Sequence, residues 1–211
     1  MNFNKAQLGA IEHKDGAMLV LAGPGSGKTA VITHRTKNLI TKHHVKPSEI
    51  LVITFTKAAA NEMKERFNSL MKDERVNVSF GTFHAVFFTI LKYAYRFTSA
   101  NIADESVRYG FIREILSYYC LEYKDENEFI GNLLAEISLI KNSRIDIENF
   151  YSGVCGEEIF RDIYKKYETR LKENRLIDFD DMLSYTYELF KERPDILALW
   201  QNKYKYILID E

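Results

Sequence analysis

Two cysteines in 211 residues, Cys120 and Cys155, are too few and too far apart for a disulfide or zinc framework. No apolar run comes near the roughly 18 residues of a membrane span. The opening Met1-Asn2-Phe3-Asn4-Lys5 runs into polar sequence with no signal-peptide core. Repeats and low-complexity segments are missing too. Charge of either sign is not in excess, since 29 Lys/Arg face 30 Asp/Glu for a net charge of −1. These absences lead to the expectation of a soluble, reduced, cytoplasmic protein with no membrane partner. With 46 % hydrophobic residues the chain has enough apolar side chains to bury a core and is not disordered on composition.

What is present is unevenly placed. Residues 1–72 hold 11 Lys/Arg against 5 Asp/Glu, whereas residues 73–211 hold 18 against 25. A basic first third beside an acidic remainder fits a surface that meets polyanions, and equally a solvated basic face. The chain has only three prolines and ten glycines, yet Gly23, Pro24, Gly25 and Gly27 fall within five residues. They follow the apolar run Met18-Leu19-Val20-Leu21 and precede Lys28-Thr29.

Periodicity divides the chain. Up to about residue 97, strands are expected near 17–22, 50–54 and 76–80, alternating with helices near 4–13, 28–41, 57–71 and 83–96. Such alternation predicts an α/β fold with a parallel sheet. From 98 to 177 strands disappear and three helical stripes follow: Val107, Phe111, Ile115, Leu116; Ile130, Leu133, Leu134, Ile137, Ile140; and Ile159, Ile163, Tyr164, Tyr167, Leu171. A helix near 179–191 and a short one from Pro194 lead to the apolar run Tyr206-Ile207-Leu208-Ile209, which reads as a buried parallel strand tipped by Asp210 and Glu211.

Ala22-Gly23-Pro24-Gly25-Ser26-Gly27-Lys28-Thr29 reads as a phosphate-binding loop. Its glycines let backbone N–H groups curl around phosphate oxygens, and the next helix turns its positive end to them. Lys28 supplies a charge to the β- and γ-phosphates, and the Thr29 hydroxyl is a ligand for Mg²⁺. Alone, Asp210-Glu211 reads as a solvated strand end. Beside the loop it reads as its acidic partner, with Asp210 holding Mg²⁺ through water and Glu211 orienting or deprotonating the attacking water. ATP and Mg²⁺ are the expected cofactors.

Taken in order, these segments resemble the N-terminal part of superfamily 1 DNA helicases of the UvrD/Rep/PcrA type. Phe3-Asn4-Lys5-Ala6-Gln7 resembles the Leu-Asn-x-x-Gln element, and the loop at 22–29 resembles motif I. Thr54 to Met63 resembles motif Ia, and Gly81-Thr82-Phe83-His84 motif Ib. Ile177 to Leu183 resembles an Asp-Phe-Asp-Asp-Leu-Leu element, and Tyr206 to Glu211 the start of motif II. The resemblance implies that Gln7 reads the adenine edge, that Gly23, Pro24, Gly25, Ser26, Gly27, Lys28, Thr29 and Ala30 surround the nucleotide, and that Lys28 and Glu211 are catalytic. It further implies that Phe55, Thr56, Lys57, Thr82, Phe83 and His84 meet DNA, single-stranded or duplex. By themselves, Phe55 reads as a core residue and His84 as a packing or capping histidine.

Two departures stand out. Ala30 occupies the position where many relatives carry an adenine-stacking Arg, and Lys57-Ala58 stands in place of Asn-Lys. Asp178, Asp180 and Asp181 read as an N-cap and acidic first turn more readily than as a metal cluster.

The resemblance implies a RecA-like P-loop fold, incomplete here: a motor domain over 1–97 and 178–211 with a helical insertion over 98–177. The parent activity implied is ATP-dependent 3′-to-5′ translocation on single-stranded DNA with unwinding. A non-catalytic nucleotide-binding fragment or split subunit, and the motor part of a helicase–nuclease, are the alternatives. The second motor domain is expected to be missing from this chain. So is a strand between 17–22 and 205–210, leaving a gap to be met by a strand from another chain, a rearranged sheet or a flexible C-terminus.

Overall fold

The computed structural model describes residues 2–72 and 76–210. Along the chain run α1 (Lys5–Glu12), α2 (Lys28–Thr41), β1 (Ile50–Thr54), α3 (Lys57–Leu70), β2 (Ser79–Thr82), α4 (Phe83–Tyr95), α5 (Glu105–Leu116), α6 (Glu126–Ser143), α7 (Glu157–Glu173), α8 (Phe179–Glu192), α9 (Pro194–Lys203) and β3 (Tyr206–Asp210). The fold is α/β, as its alternating pattern predicts. Two compact units emerge, residues 1–86 with 193–211, and residues 87–192. The second unit takes in more of the chain than the 98–177 block with a purely helical pattern.

The first unit is built on a three-stranded sheet in the order β2-β1-β3, with both pairings parallel. Central β1 is buried at all five positions, which is why Ile50-Leu51-Val52-Ile53 carries no polar alternation. One face packs Ile50, Val52 and Leu208 against Leu39 of α2 and Met63 and Phe67 of α3. Each such fully buried side chain contributes about 1.5–3 kcal/mol. On β3, Ile207 and Ile209 point the other way and are exposed.

The expected strand at 17–22 does not form. That segment pairs with no strand, and Leu19 and Leu21 are 84 % and 88 % exposed. An extended segment becomes a strand only when a neighbour completes its hydrogen bonds, and β3, paired to β1 along one edge, makes no ladder with 17–22 along the other. Between 17–22 and β3 lies a cavity of about 720 Å³, walled by Leu19, Leu21, Ala10, Val31, Ile207 and Ile209. Tyr206 donates its hydroxyl proton to Asp15 Oδ1 at 3.0 Å, tying the start of β3 to the loop before 17–22. Backbone amides of 17–22 are therefore expected to exchange with solvent at least a hundredfold faster than those of Val52 and Ile53. Equal protection, measured by hydrogen exchange, would show that 17–22 is paired after all.

The second unit packs α5, α6 and α7 around Ile112, Ile115, Ile130, Leu133, Ile137 and Phe160. The three stripes legible in the sequence supply most of this core, although on α5 Ile112 and not Phe111 joins Ile115 as fully buried. α8 begins with a reciprocal cap: Asp181 N–H donates to Asp178 Oδ1 at 2.9 Å, and Asp178 N–H to Asp181 Oδ2 at 3.0 Å. Asp180 accepts from Asn142 Nδ2 at 2.8 Å. Among the described residues no helix is long and apolar enough to cross a membrane.

Candidate nucleotide site and strand-end edge

Gly25 and Gly27 hold φ of 72° and 84°, the left-handed region that side chains disfavour, and this bends 22–27 into a loop. Gly27 then caps α2 with no side chain of its own. The first-turn N–H groups of α2 are thus left for an anion, in the field of the helix dipole. Lys28 Nζ folds back over the loop and donates to the carbonyls of Gly23 at 3.1 Å and Ala22 at 3.3 Å. Gly23, Pro24, Gly25 and Ser26 are exposed around it, and Thr29 and Ala30 open α2 half-buried.

Gln7 sits against this loop. Its Nε2 donates to the Ser26 carbonyl at 3.0 Å, and a Cβ at Gly27 would meet that nitrogen at 3.4 Å. Its Oε1 accepts from Asn4 N–H at 2.9 Å while its own N–H donates to Asn4 Oδ1 at 2.9 Å, a capping box on α1. Both ends of the Gln7 amide are therefore engaged within the chain. The pattern Asn4-x-x-Gln7 was a visible capping signal, but its contact with the loop 19 residues away was not.

The three strand ends meet in register. Thr54 lies opposite Thr82 on one side and Asp210 on the other, so Thr82, Thr54 and Asp210 form a row at the carboxyl edge of the sheet. In parallel α/β sheets that edge is where ligands bind. Asp210 and Lys28 line the same cavity, which brings the strand tip and the phosphate loop to one place. Thr29 and Asp210 offer hydroxyl and carboxylate oxygens, the hard donors that Mg²⁺ takes one or two at a time alongside phosphate and water. Glu211 lies outside the described residues.

Phe55, Thr56 and Lys57 follow β1 at this edge, and Phe83 and His84 follow β2. Phe55 is 65 % exposed, so it is not the core residue its apolar character alone implies. Thr56 Oγ1 caps α3 by accepting from Ala59 N–H at 3.1 Å, and Thr82 Oγ1 accepts from Ala85 N–H at 3.2 Å. These two threonines thus fix the helix starts that frame the edge. The three aspartates at 178–181 belong to the helical unit, where Asp178 and Asp181 form a capped helix start held by Lys141, a partner that no local pattern revealed.

A glycine loop at a helix start, a lysine over it and a strand-tip aspartate define a nucleotide-binding P-loop protein of the α/β class. The chain belongs to the UvrD/REP helicase family, whose N-terminal domain matches residues 3–211. It is 36 % identical over 99 % of its length to the ATP-dependent DNA helicase PcrA of Bacillus subtilis, covering 29 % of that protein. It is likewise 36 % identical over its whole length to the putative ATP-dependent DNA helicase YjcD of the same organism, covering 28 %. PcrA of Staphylococcus aureus strain Mu50 is 33 % identical, again with 29 % covered. The chain spans less than a third of the length of these relatives.

Proposed function

We propose that this chain is the ATP-binding first part of an ATP-dependent DNA helicase that translocates 3′-to-5′ on single-stranded DNA in the cytoplasm. The observation that carries this reading is the meeting of the phosphate loop, Lys28 and Asp210 at the carboxyl edge of the sheet. In this reading the motor domain is formed by 1–97 and 178–211 and interrupted by the helical block at 98–177.

Binding nucleotide requires Lys28 Nζ to leave the carbonyls of Ala22 and Gly23 and turn to the β- and γ-phosphates. The N–H groups of Gly25, Gly27 and the first turn of α2 then hold the phosphate oxygens. Mg²⁺, held by Thr29 and through water by Asp210, would supply charge neutralisation at the phosphates. Glu211 would take the proton of the attacking water. Gln7 reaches the adenine edge by giving up its bond to Ser26, which couples base binding to the shape of the loop. Steady-state ATPase with and without single-stranded DNA tests the reading on a chain that includes the second motor domain. Stimulation by DNA supports it, and an equal rate with and without DNA counts against it.

The DNA side follows from the same edge. The first unit carries 15 Lys/Arg against 10 Asp/Glu, and the helical unit 14 against 20, so backbone attraction favours the first. Phe55 offers a base-stacking face, with Thr56, Lys57, Thr82, Phe83 and His84 beside the phosphates. Stacking one base on an aromatic is worth about 1–3 kcal/mol. Phe55→Ala should therefore weaken binding of a fluorescent oligothymidylate at least fivefold, and added salt should weaken it for both proteins. Affinity indifferent to both changes would reject this surface.

The open edge of β3 favours one further element of the reading. The cavity beside it fits a strand from outside residues 1–211, supplied by continuing chain or by another chain.

A further inference from the structure

The helical unit buries more negative charge than its partners neutralise. Lys141, on the last turns of α6, has a side chain only 4 % exposed, and its ammonium reaches three carboxylates. Asp178 Oδ2 and Asp181 Oδ1 each lie 2.8 Å from Nζ, and both side chains are 2 % exposed. Glu168 Oε1 of α7 lies 2.7 Å away and its side chain is 19 % exposed. That oxygen is nonetheless outside hydrogen-bonding geometry and has no hydrogen-bond partner. One ammonium against three ionised carboxylates leaves two negative charges with little water to solvate them, a costly state in a protein interior.

We propose that the Lys141–Glu168–Asp178–Asp181 cluster holds one proton among its carboxylates on the acid side of neutrality, and so acts as a proton-linked latch joining α6 and α7 to the start of α8. The cluster's surroundings favour this and say where the proton sits. Asp178 is the best supported as an anion. Burial alone would raise its pKa, but Lys141, the Asp181 N–H and the Tyr167 hydroxyl, donating at 3.0 Å, hold it below the usual range. Asp181 goes the other way. Burial, opposed by Lys141 and reinforced by the charges of Asp178 and Glu168, pushes it up to about 7. Lys141 stays charged, since the three carboxylates outweigh its burial.

Every packed element contributes to this balance. α7 presents Tyr164, Tyr167 and Glu168, and α8 presents Tyr185. Burial raises the pKa of all three phenols, so they remain neutral and leave the negative charges unrelieved. α5 adds the more distant positive charge of Arg108, felt at Tyr167. Because the carboxylates are coupled, the proton belongs to the set, with Asp181 its main seat.

The sign of the linkage is fixed. A carboxyl with a raised folded-state pKa keeps a proton that the unfolded chain releases. Its contribution is full below the unfolded carboxyl's value of 3.8 and is lost progressively as pH rises from there through about 7. Within that window the unfolding constant of the helical unit should increase by up to tenfold per pH unit.

All five histidines, at positions 13, 34, 43, 44 and 84, lie in the other unit, so a neutral titration reported from the helical unit is not theirs. The test follows side-chain carboxyl ¹³C shifts of the 211-residue chain from pH 4.5 to 8.5, with exchange rates of the Asp178 and Asp181 amides corrected for intrinsic pH dependence. One cluster carboxyl should titrate between pH 6 and 8, and both amides should lose protection from pH 4.5 upward until that carboxyl is ionised, then hold constant. Asp181→Asn should abolish that transition and flatten the protection profile. Should that variant fail to fold, Glu168→Gln serves instead, and removing a like charge should lower the midpoint by about one pH unit or more. Carboxyls that all titrate below pH 5, or a midpoint unmoved in Glu168→Gln, would make the cluster an ordinary ionised network and overturn the proposal.

Discussion

Lys28→Ala is expected to lower the affinity of the chain for Mg-ATP by ten- to a hundredfold while leaving the fold intact. The side chain is half-exposed, and among the described residues its ammonium donates to the carbonyls of Ala22 and Gly23, so it supports no core. Removing it therefore costs little stability. In the proposed nucleotide complex the same ammonium would face phosphate oxygens, and a hydrogen bond to a charged group is worth about 1.5–3 kcal/mol. A primary amine is also a point charge that no neutral loop N–H replaces. Calorimetric titration of both proteins with ATP and Mg²⁺, beside their circular dichroism spectra, measures both halves of the expectation. Equal affinity in the two proteins would remove the phosphate loop from its assigned role.

The largest effect is expected from the 211-residue polypeptide itself. It should not unwind DNA, and its ATPase rate should fall at least a thousandfold short of a polypeptide carrying both motor domains. Phosphoryl transfer needs positive charge delivered to the γ-phosphate as the bond breaks, and an arginine used in that way contributes about 10³–10⁵ in rate. The described arginines of the first unit are engaged elsewhere. Arg35 donates to the Ala10 carbonyl, Arg66 pairs with Glu62, and Arg193 pairs with Asp195. In the proposed site Lys28 and Mg²⁺ would then be the cations offered by the described residues, expected to be enough to bind nucleotide and too few to stabilise the transition state. The open edge beside β3 adds to this, because the strand that carries Asp210 is braced on one side only. A coupled-enzyme ATPase assay and a strand-displacement assay on the purified chain measure the two activities. Robust DNA-stimulated turnover would show that the cations already present suffice.

The parts of the site that were legible in the sequence are those written locally. Glycine spacing, the lysine and threonine after it, and an apolar run ending in an aspartate each depend on neighbours within one turn or one strand. The roles given to Phe55 and Gln7 show the limit of such reading. Apolar character assigns Phe55 to a core, yet its place just beyond the carboxyl end of β1 leaves it in solvent. Gln7, placed by resemblance at the adenine edge, completes the capping box of Asn4 and braces Ser26 across 19 residues.

By itself, then, the sequence of this protein determined its helices, the buried strand β1, the phosphate loop and the alternation that makes the fold α/β, because these follow from φ preferences and periodicity over a few residues. Only the tertiary structure decided that 17–22 stays unpaired, that Thr82, Thr54 and Asp210 share one register, and that Lys141 is enclosed by three carboxylates. Strand pairing and buried charge are settled by partners distant in the chain. Hydrogen bonding and desolvation act on whichever groups the fold brings within about 3 Å.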